Sequence, residues 1–295
     1  MRLPSIPPIK MAVQLVSLPE IERVSPACIR ILGGNPGKYT LQGTNTYLLG
    51  TGPSRILIDT GEGRPSWIAA LKKTLEAEKA TVTSALITHW HGDHQGGIGH
   101  LLEISPETKV YKNNPESGQM AISDSQVFEV EGATLTAVHT PGHTTDHMVL
   151  LLREEDAMFT GDNVLGHGTA VFEDLKTYLS SLEKMRHLFS GRAYPGHGPV
   201  LTDGPAKILE YIKHRKQRED QVLQTLRTRK KDYAGSEASS WAAMELVKVI
   251  YHDVPEELHV PAAGGVIQIL RKLESEGKVR LDEGERWRLI DRPTL

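Results

Sequence analysis

Thr88-His89-Trp90-His91-Gly92-Asp93-His94 is the stretch on which the reading of this chain turns. It packs three histidines and an aspartate into seven residues. It follows the apolar run TSALIT at 83–88 and leads into Gln95-Gly96-Gly97, so it joins a buried strand to the start of a helix. In extended chain, side chains two apart project to the same side. His89 and His91 can therefore face one metal ion. Asp93 and His94 come after the turn and can reach a second ion beside it.

Three further pieces carry one ligand-competent side chain each, at the ends of other expected strands. Thr140-Pro141-Gly142-His143 follows TLTAVH, Thr160-Gly161-Asp162 follows AMF, and Tyr194-Pro195-Gly196-His197-Gly198 follows GRA. A sharp turn at a strand end is the rigid mount that a metal site needs.

The set THxHxDH, TPGH, GD and PGHG, spread over about residues 28–200, resembles the metallo-β-lactamase superfamily. The segments ILGGNPGKYTLQGTNTYLLGTG, GHTTDHM and GHGTAVFEDL resemble the branch that adds a C-terminal winged helix. That branch includes fungal thioesterases that release polyketides from acyl carrier protein, and animal β-lactamase-like endoribonucleases. The resemblance implies an αββα sandwich with the site at one edge. It also implies ligand roles. His89, His91 and His143 would hold one metal, Asp93, His94 and His197 a second, and Asp162 would bridge both together with a hydroxide. Two divalent ions are expected, zinc first, although this donor set without thiolate also accepts iron or manganese. Position 162 is Asp, where true β-lactamases of one subclass have Cys, so lactam hydrolysis is not the first expectation. Asp93 is placed for a general acid/base role in addition to ligation.

Other residues support weaker roles. Asn45 in QGTNTY either fixes its loop or reaches substrate. His167 either lines the substrate mouth or ties down its loop. His214 and Arg215 on a long helix are candidate substrate contacts, with a solvated helix face as the alternative. His139 and His147 flank TPGH and are expected behind the ligands. Cys28 is expected to be buried and inert.

Length and composition limit the function classes. The 295 residues allow one large domain or two smaller ones. Lys plus Arg is 34 and Asp plus Glu is 37, a net charge of −3, which argues against binding nucleic acid by bulk charge. One cysteine rules out an internal disulfide and fits a reducing compartment, with the cytoplasm as the expected location. No apolar run is long enough to span a membrane. The start, MRLPSIPPIKMAVQLVSLPE, lacks the apolar core of a secretory signal. Arg2 and Lys10 give a trace of a mitochondrial presequence, but Pro4, Pro7, Pro8 and Pro19 interrupt the helix that would need.

The expected organisation is an extended lead-in at 1–26, a catalytic domain at 27–202, and a long helix with a winged helix at 203–295. Residues 205–231 read as one helix. Then 235–240 is a polar linker, 242–251 and 262–277 are helices, and KVRLDEGERWRLI is a hairpin. Between 207 and 231 there are nine basic and three acidic residues. That charge suits either RNA phosphates or an acidic carrier protein. In the helix at 262–277, Arg271 and Lys272 are balanced by Glu274 and Glu276, which speaks against a DNA-reading regulator. The tail is instead read as a packing domain, with self-association left open.

The resulting expectation is a metal-dependent hydrolase. The first substrate is a polyketide-type acyl chain on the acyl carrier protein domain of a polyketide synthase. The alternative is single-stranded RNA cleaved by the same site.

Overall fold

The computed structural model describes residues 15–228, 230–231, 237–238, 240–253, 255–256 and 259–290. They fall into two compact units. The first is drawn from Met1–His139, Asp146–Ala170 and Gly191–Thr202. The second is drawn from Thr140–Thr145, Val171–Ser190 and Asp203–Leu295.

The first unit is built on two sheets. In the larger, β1 (Ile21–Ser25), β2 (Cys28–Leu32), β3 (Asn45–Leu49) and β4 (Ser54–Ile58) run antiparallel in sequence order. β5 (Thr81–Leu86), β6 (Lys109–Lys112) and β7 (Met120–Ala121) then add in parallel. The parallel step from β4 to β5 needs a crossover, which α1 (Pro65–Glu78) supplies. Pro65 opens that helix where no backbone N–H is missed.

Alternation along the strands sorts side chains into two cores. Tyr47, Leu49, Ile56 and Ile58 point between the sheets, while Leu48 and Leu57 point the other way, onto Trp67, Leu71 and Leu75 of α1. Strands buried on both faces read as unbroken apolar runs, which is why CIRIL and RILI are so uniform. The second sheet orders β12 (Ala193–Pro195), β11 (Ala157–Gly161), β10 (Met148–Leu152), β9 (Ala133–His139) and β8 (Val127–Val130). It contributes Leu135, Ala137, Leu150 and Phe159 to the core between the sheets. Cys28 lies in this core, where burial pushes its thiol well above the usual range. The histidine stretch ends in two short helices, α2 (Gly92–Gln95) and α3 (Ile98–Ile104). Gly97 sits between them because a Cβ there would lie 2.0 Å from the Thr60 carbonyl.

Part of the expected lead-in is structural. Ile21–Ser25 forms the edge strand β1, with Glu22 opposite Arg30 and paired to it. Residues 1–14 lie outside the described residues.

The second unit contains α4 (Leu175–Met185) and α5 (Gly204–Arg227), followed by the two-residue strands β13 (Lys230–Lys231) and β14 (Glu237–Ala238). Asp174 and Asp203 cap α4 and α5, accepting from Thr177 N and Ala206 N. α5 stops four residues before the expected end at 231. Thr228 turns extended, and its hydroxyl donates to Thr225 O at 2.7 Å. Of the expected linker at 235–240, residues 235, 236 and 239 lie outside the described residues, and Glu237–Ala238 form β14. Beyond it, β15 (Trp241–Ala242), α6 (Ala243–Ile250), α7 (His259–Ser275), β16 (Val279–Asp282) and β17 (Arg286–Leu289) give the helix, helix, wing order, with strands ordered β15-β17-β16. No helix among the described residues is long and apolar enough to cross a membrane.

Candidate metal centre

The centre grows from the end of β5. Beyond it the chain stays extended through Thr88, whose carbonyl accepts from Met148 N at 2.8 Å and so joins the two sheets at this point. His91 then starts α2, which brings Asp93 and His94 round the first turn. Two groups of ligand atoms result, each within 4.8 Å. Asp93, His94 and His197 form one, and His89, His91 and Asp162 stand together in the other. The closest approaches are His89 Nε2 to His91 Nδ1 at 3.0 Å and His94 Nε2 to His197 Nε2 at 3.3 Å.

Asp162 also lies close to two members of the other group. Its carboxylate oxygens stand 3.4 Å from His94 Nε2 and 3.2 Å from His197 Nε2. It follows β11, and its backbone N–H donates to His147 Nε2 at 3.1 Å. His147 therefore orients Asp162 from behind, as expected of it. Asp93 is held by the Thr44 hydroxyl, which donates to it at 3.1 Å, and lies 3.3 Å from both His94 and His197.

The turn that carries His197 is fixed from β3. Asn45 Nδ2 donates to Pro195 O and Gly198 O, both at 2.9 Å, and the Tyr47 hydroxyl donates to Pro195 O at 2.8 Å. Asn45 thus spends its amide on positioning the turn. Gly196 has to be glycine, since a Cβ there would lie 2.3 Å from Asp162 Oδ1.

Asp59 is the functional residue that sequence reasoning missed. It is 1 % exposed, at the end of β4, in the left-handed region with φ of 58°. Its carboxylate accepts from Thr88 N at 2.8 Å, from the Thr88 hydroxyl at 2.9 Å, and from His94 Nδ1 at 2.7 Å. The Thr88 hydroxyl has one proton and gives it to Asp59. It can therefore only accept from His89 Nδ1, 2.9 Å away. One buried carboxylate thus sets both tautomers and leaves Nε2 of His89 and of His94 as lone pairs turned inward. The sequence signal was an aspartate closing the apolar run RILI.

The remaining candidates divide by unit. His167 is half-buried next to Gly166, whose N–H donates to His197 O at 2.8 Å. His143 lies in the second unit, buried, with Nδ1 2.8 Å from Val171 O. His214 and Arg215 lie on α5 in that same unit. Burial, then Arg215 and Arg218, lower the His214 pKa. Arg215 stacks over Phe172 at 4.7 Å, and Arg218 over Tyr251 at 4.7 Å. These two guanidinium groups are therefore held on aromatic faces.

The charge pattern fits cations. Burial opposes ionisation of Asp93 and Asp162, yet the His197 and His94 rings hold both carboxyls well below the usual range. Burial likewise opposes a charged His197, but Asp162 and Asp93 outweigh it and push its pKa up to about 9. His94 is raised well above the usual value, with Asp162 and Asp59 overcoming its burial. His89 Nε2 and His91 Nδ1 at 3.0 Å, and His94 Nε2 and His197 Nε2 at 3.3 Å, are close enough either to share a proton or to turn lone pairs on a common cation. Four imidazoles and two carboxylates in one place are a donor set that suits divalent metal ions.

Comparison with known proteins agrees with this geometry. The model of the "Metallo-beta-lactamase superfamily" matches residues 39–118 and 114–197, and that of the "Beta-lactamase associated winged helix domain" matches 242–287. "Lactamase-like protein adaB" of Aspergillus niger is 50% identical over 289 residues, spanning 95% of this chain and 91% of that one. "Atrochrysone carboxyl ACP thioesterase" of Aspergillus chevalieri is 46% identical over 283 residues, spanning 94% and 91%. Among solved structures, a beta-lactamase domain protein from Burkholderia ambifaria matches with a TM-score of 0.76 at 15% identity, covering 93% of this chain and 95% of its own. A metallo-beta-lactamase family protein from Thermus thermophilus matches with 0.69 at 22%, covering 91% and 100%. These two structures speak to the fold alone. With the sandwich, the histidine clusters and two relatives alike over nearly its whole length, this chain belongs to the metallo-β-lactamase superfamily of hydrolases, in the form that ends in a winged helix.

Proposed function

We propose that this chain is a thioesterase that frees a polyketide-type acyl chain from an acyl carrier protein, using two divalent metal ions, zinc first. One observation carries the reading: a relative 46% identical over 94% of this chain is named an ACP thioesterase. The proposed ligands are His89, His91, His143 and Asp162 for one ion, and Asp93, His94, His197 and Asp162 for the other. His143 suits its role because Val171 O occupies its Nδ1 and leaves Nε2 to bind. When bound, a pair of such ions lowers the pKa of a water between them and stabilises the oxyanion formed at the attacked carbonyl.

The chain's own residues do the rest. Asp59 and Thr88 hold His89 and His94 in the tautomers that bind. Asn45 and Tyr47 hold the His197 turn at its place. Asp93, held by the Thr44 hydroxyl beside His94 and His197, is the side chain assigned to take a proton from the attacking water and pass it to the leaving thiolate. Chemistry is assigned to residues 27–202, and 203–295 is assigned as a packing domain.

The test is turnover by the metal-loaded full chain. Acyl-N-acetylcysteamine thioesters are expected to be hydrolysed with little dependence on salt, because a neutral acyl group forms no ion pairs. Carrier-bound substrate should be preferred and show a moderate salt effect. Cleavage of single-stranded RNA that falls steeply with salt, with no thioester turnover, would overturn the proposal.

A further inference from the structure

Lys112 ends β6 and, among the described residues, is the one buried lysine, at 2 % exposure. The proposed hydrolysis does not use it. An ammonium is costly to bury unless oxygens surround it, and three do. Its Nζ donates to Gln95 Oε1 at 2.9 Å and lies 3.6 Å from Glu116 Oε1 and 3.9 Å from Asp146 Oδ2. Glu116 is exposed, whereas Asp146 is buried.

Gln95 is the last residue of α2, the four-residue helix that carries Asp93 and His94. So short a helix does not hold itself, and its place is set by what ties its ends. The backbone supplies part of this, with His94 N and Gln95 N donating to His91 O at 3.0 and 3.2 Å. The Gln95 side chain adds a further tie. Its Nε2 donates to Trp90 O at 2.6 Å and closes the loop around His91, Asp93 and His94.

That closure needs the amide the right way round. A free amide can exchange its oxygen and nitrogen by flipping. The Trp90 carbonyl only accepts, and the Lys112 ammonium only donates. With Lys112 on one side, a single orientation serves both partners, and it is the one that closes the loop.

Asp146 gives the same ammonium a second reach. It precedes His147, whose Nε2 accepts from Asp162 N at 3.1 Å, and Met148, whose N–H donates to Thr88 O. Lys112 therefore stands between the stretch that presents Asp93 and His94 and the segment that orients Asp162.

We propose that Lys112 is a positioning residue of the metal centre: through Gln95 and Asp146 it fixes the loop 90–95 and the segment behind Asp162, and metal affinity depends on it. The inference rests on the proposed metal ligands and not on the substrate.

The test is metal binding by the full chain and needs no turnover. Zinc affinity is measured by competition with a chromophoric chelator, and the absorption spectrum of the cobalt(II)-loaded protein reports ligand geometry. Gln95→Met removes both bonds of the amide without changing charge. It should weaken at least one ion about 10–100-fold and alter the cobalt spectrum. Lys112→Met should do the same, and the double variant should lose little more than Lys112→Met alone, because the two residues act through one tie. Gln95→Glu separates stability from positioning. Its carboxylate still meets Lys112 but cannot donate to Trp90 O, so Tm should hold while zinc affinity falls. If Lys112→Met does not fold, the two Gln95 variants decide the matter. Folded variants with a lowered Tm, but with the zinc affinity and cobalt spectrum of wild type, would overturn the positioning role. A wild-type chain that takes up no ion would instead overturn the metal centre on which the inference rests.

Discussion

Asp162→Ala is expected to abolish hydrolysis more completely than any other single change at the centre. Its carboxylate is the one that stands with His89 and His91 while also lying 3.2 and 3.4 Å from His197 and His94. Removing it takes a negative charge from both proposed ion sites at once and leaves two cations to repel each other. Loss of a residue behind the ligands typically costs about 10–100-fold in affinity or activity, so the loss here should exceed about 100-fold in kcat/KM. Asp162→Asn separates charge from shape. It keeps the size of the side chain and should still lose most of the activity. Thioester turnover measured on all three proteins checks this. Activity within tenfold of wild type in Asp162→Ala would remove the residue from the proposed site.

Asp59→Ala is expected to damage stability and activity together. It leaves Thr88 N, the Thr88 hydroxyl and His94 Nδ1 buried without their acceptor. Each such loss costs about 1–3 kcal/mol. Alanine is also less suited than aspartate to the φ of 58° at this position. Three such groups come to about 3–9 kcal/mol, and at about 2–4 °C per kcal/mol for a domain of this size Tm should fall by at least about 6 °C. Activity should fall about 10–100-fold, because His89 and His94 lose the partners that fix their tautomers. Asp59→Asn should recover part of the stability, since one amide oxygen can still serve Thr88 N. It should recover less of the activity, since an amide N–H cannot accept from His94. Thermal melts and kinetics on the two variants separate these effects. An Asp59→Ala protein that melts like wild type would contradict the role given to this residue.

The proposed ligand residues were legible because each sits in a short local pattern: His89, His91, Asp93 and His94 in one seven-residue stretch, His143 and His197 on Pro-Gly turns, and Asp162 in Thr-Gly-Asp at a strand end. Asp59 was not, because its partners Thr88 and His94 are 29 and 35 residues away. Only the closure of β4 against β5 brings them together. β1 was hidden by the prolines before it, and its pairing with β2 depends on the sheet rather than on any run of its own. Asn45 was legible as a loop residue, but its grip on the 195–198 turn depends on partners about 150 positions away. The long helix was overrun for the opposite reason. Residues 228–231 keep helix-compatible composition, and the backbone turn at Thr228 is what ends α5. The basic count along that helix was correct as arithmetic, but Arg215 and Arg218 spend their charge on Phe172 and Tyr251. A sequence does not show which cations a fold will stack on rings.

The central claim is that two clusters sharing Asp162 hold two divalent ions and that hydrolysis needs both. Elemental analysis of purified, active full-length chain tests it most directly, with thioester turnover followed on the same sample as metal is removed by a chelator and restored by titration. The account predicts close to two ions per chain, activity lost on chelation, and full recovery only as the second equivalent is added. Full activity in a chain holding one ion or none would contradict it.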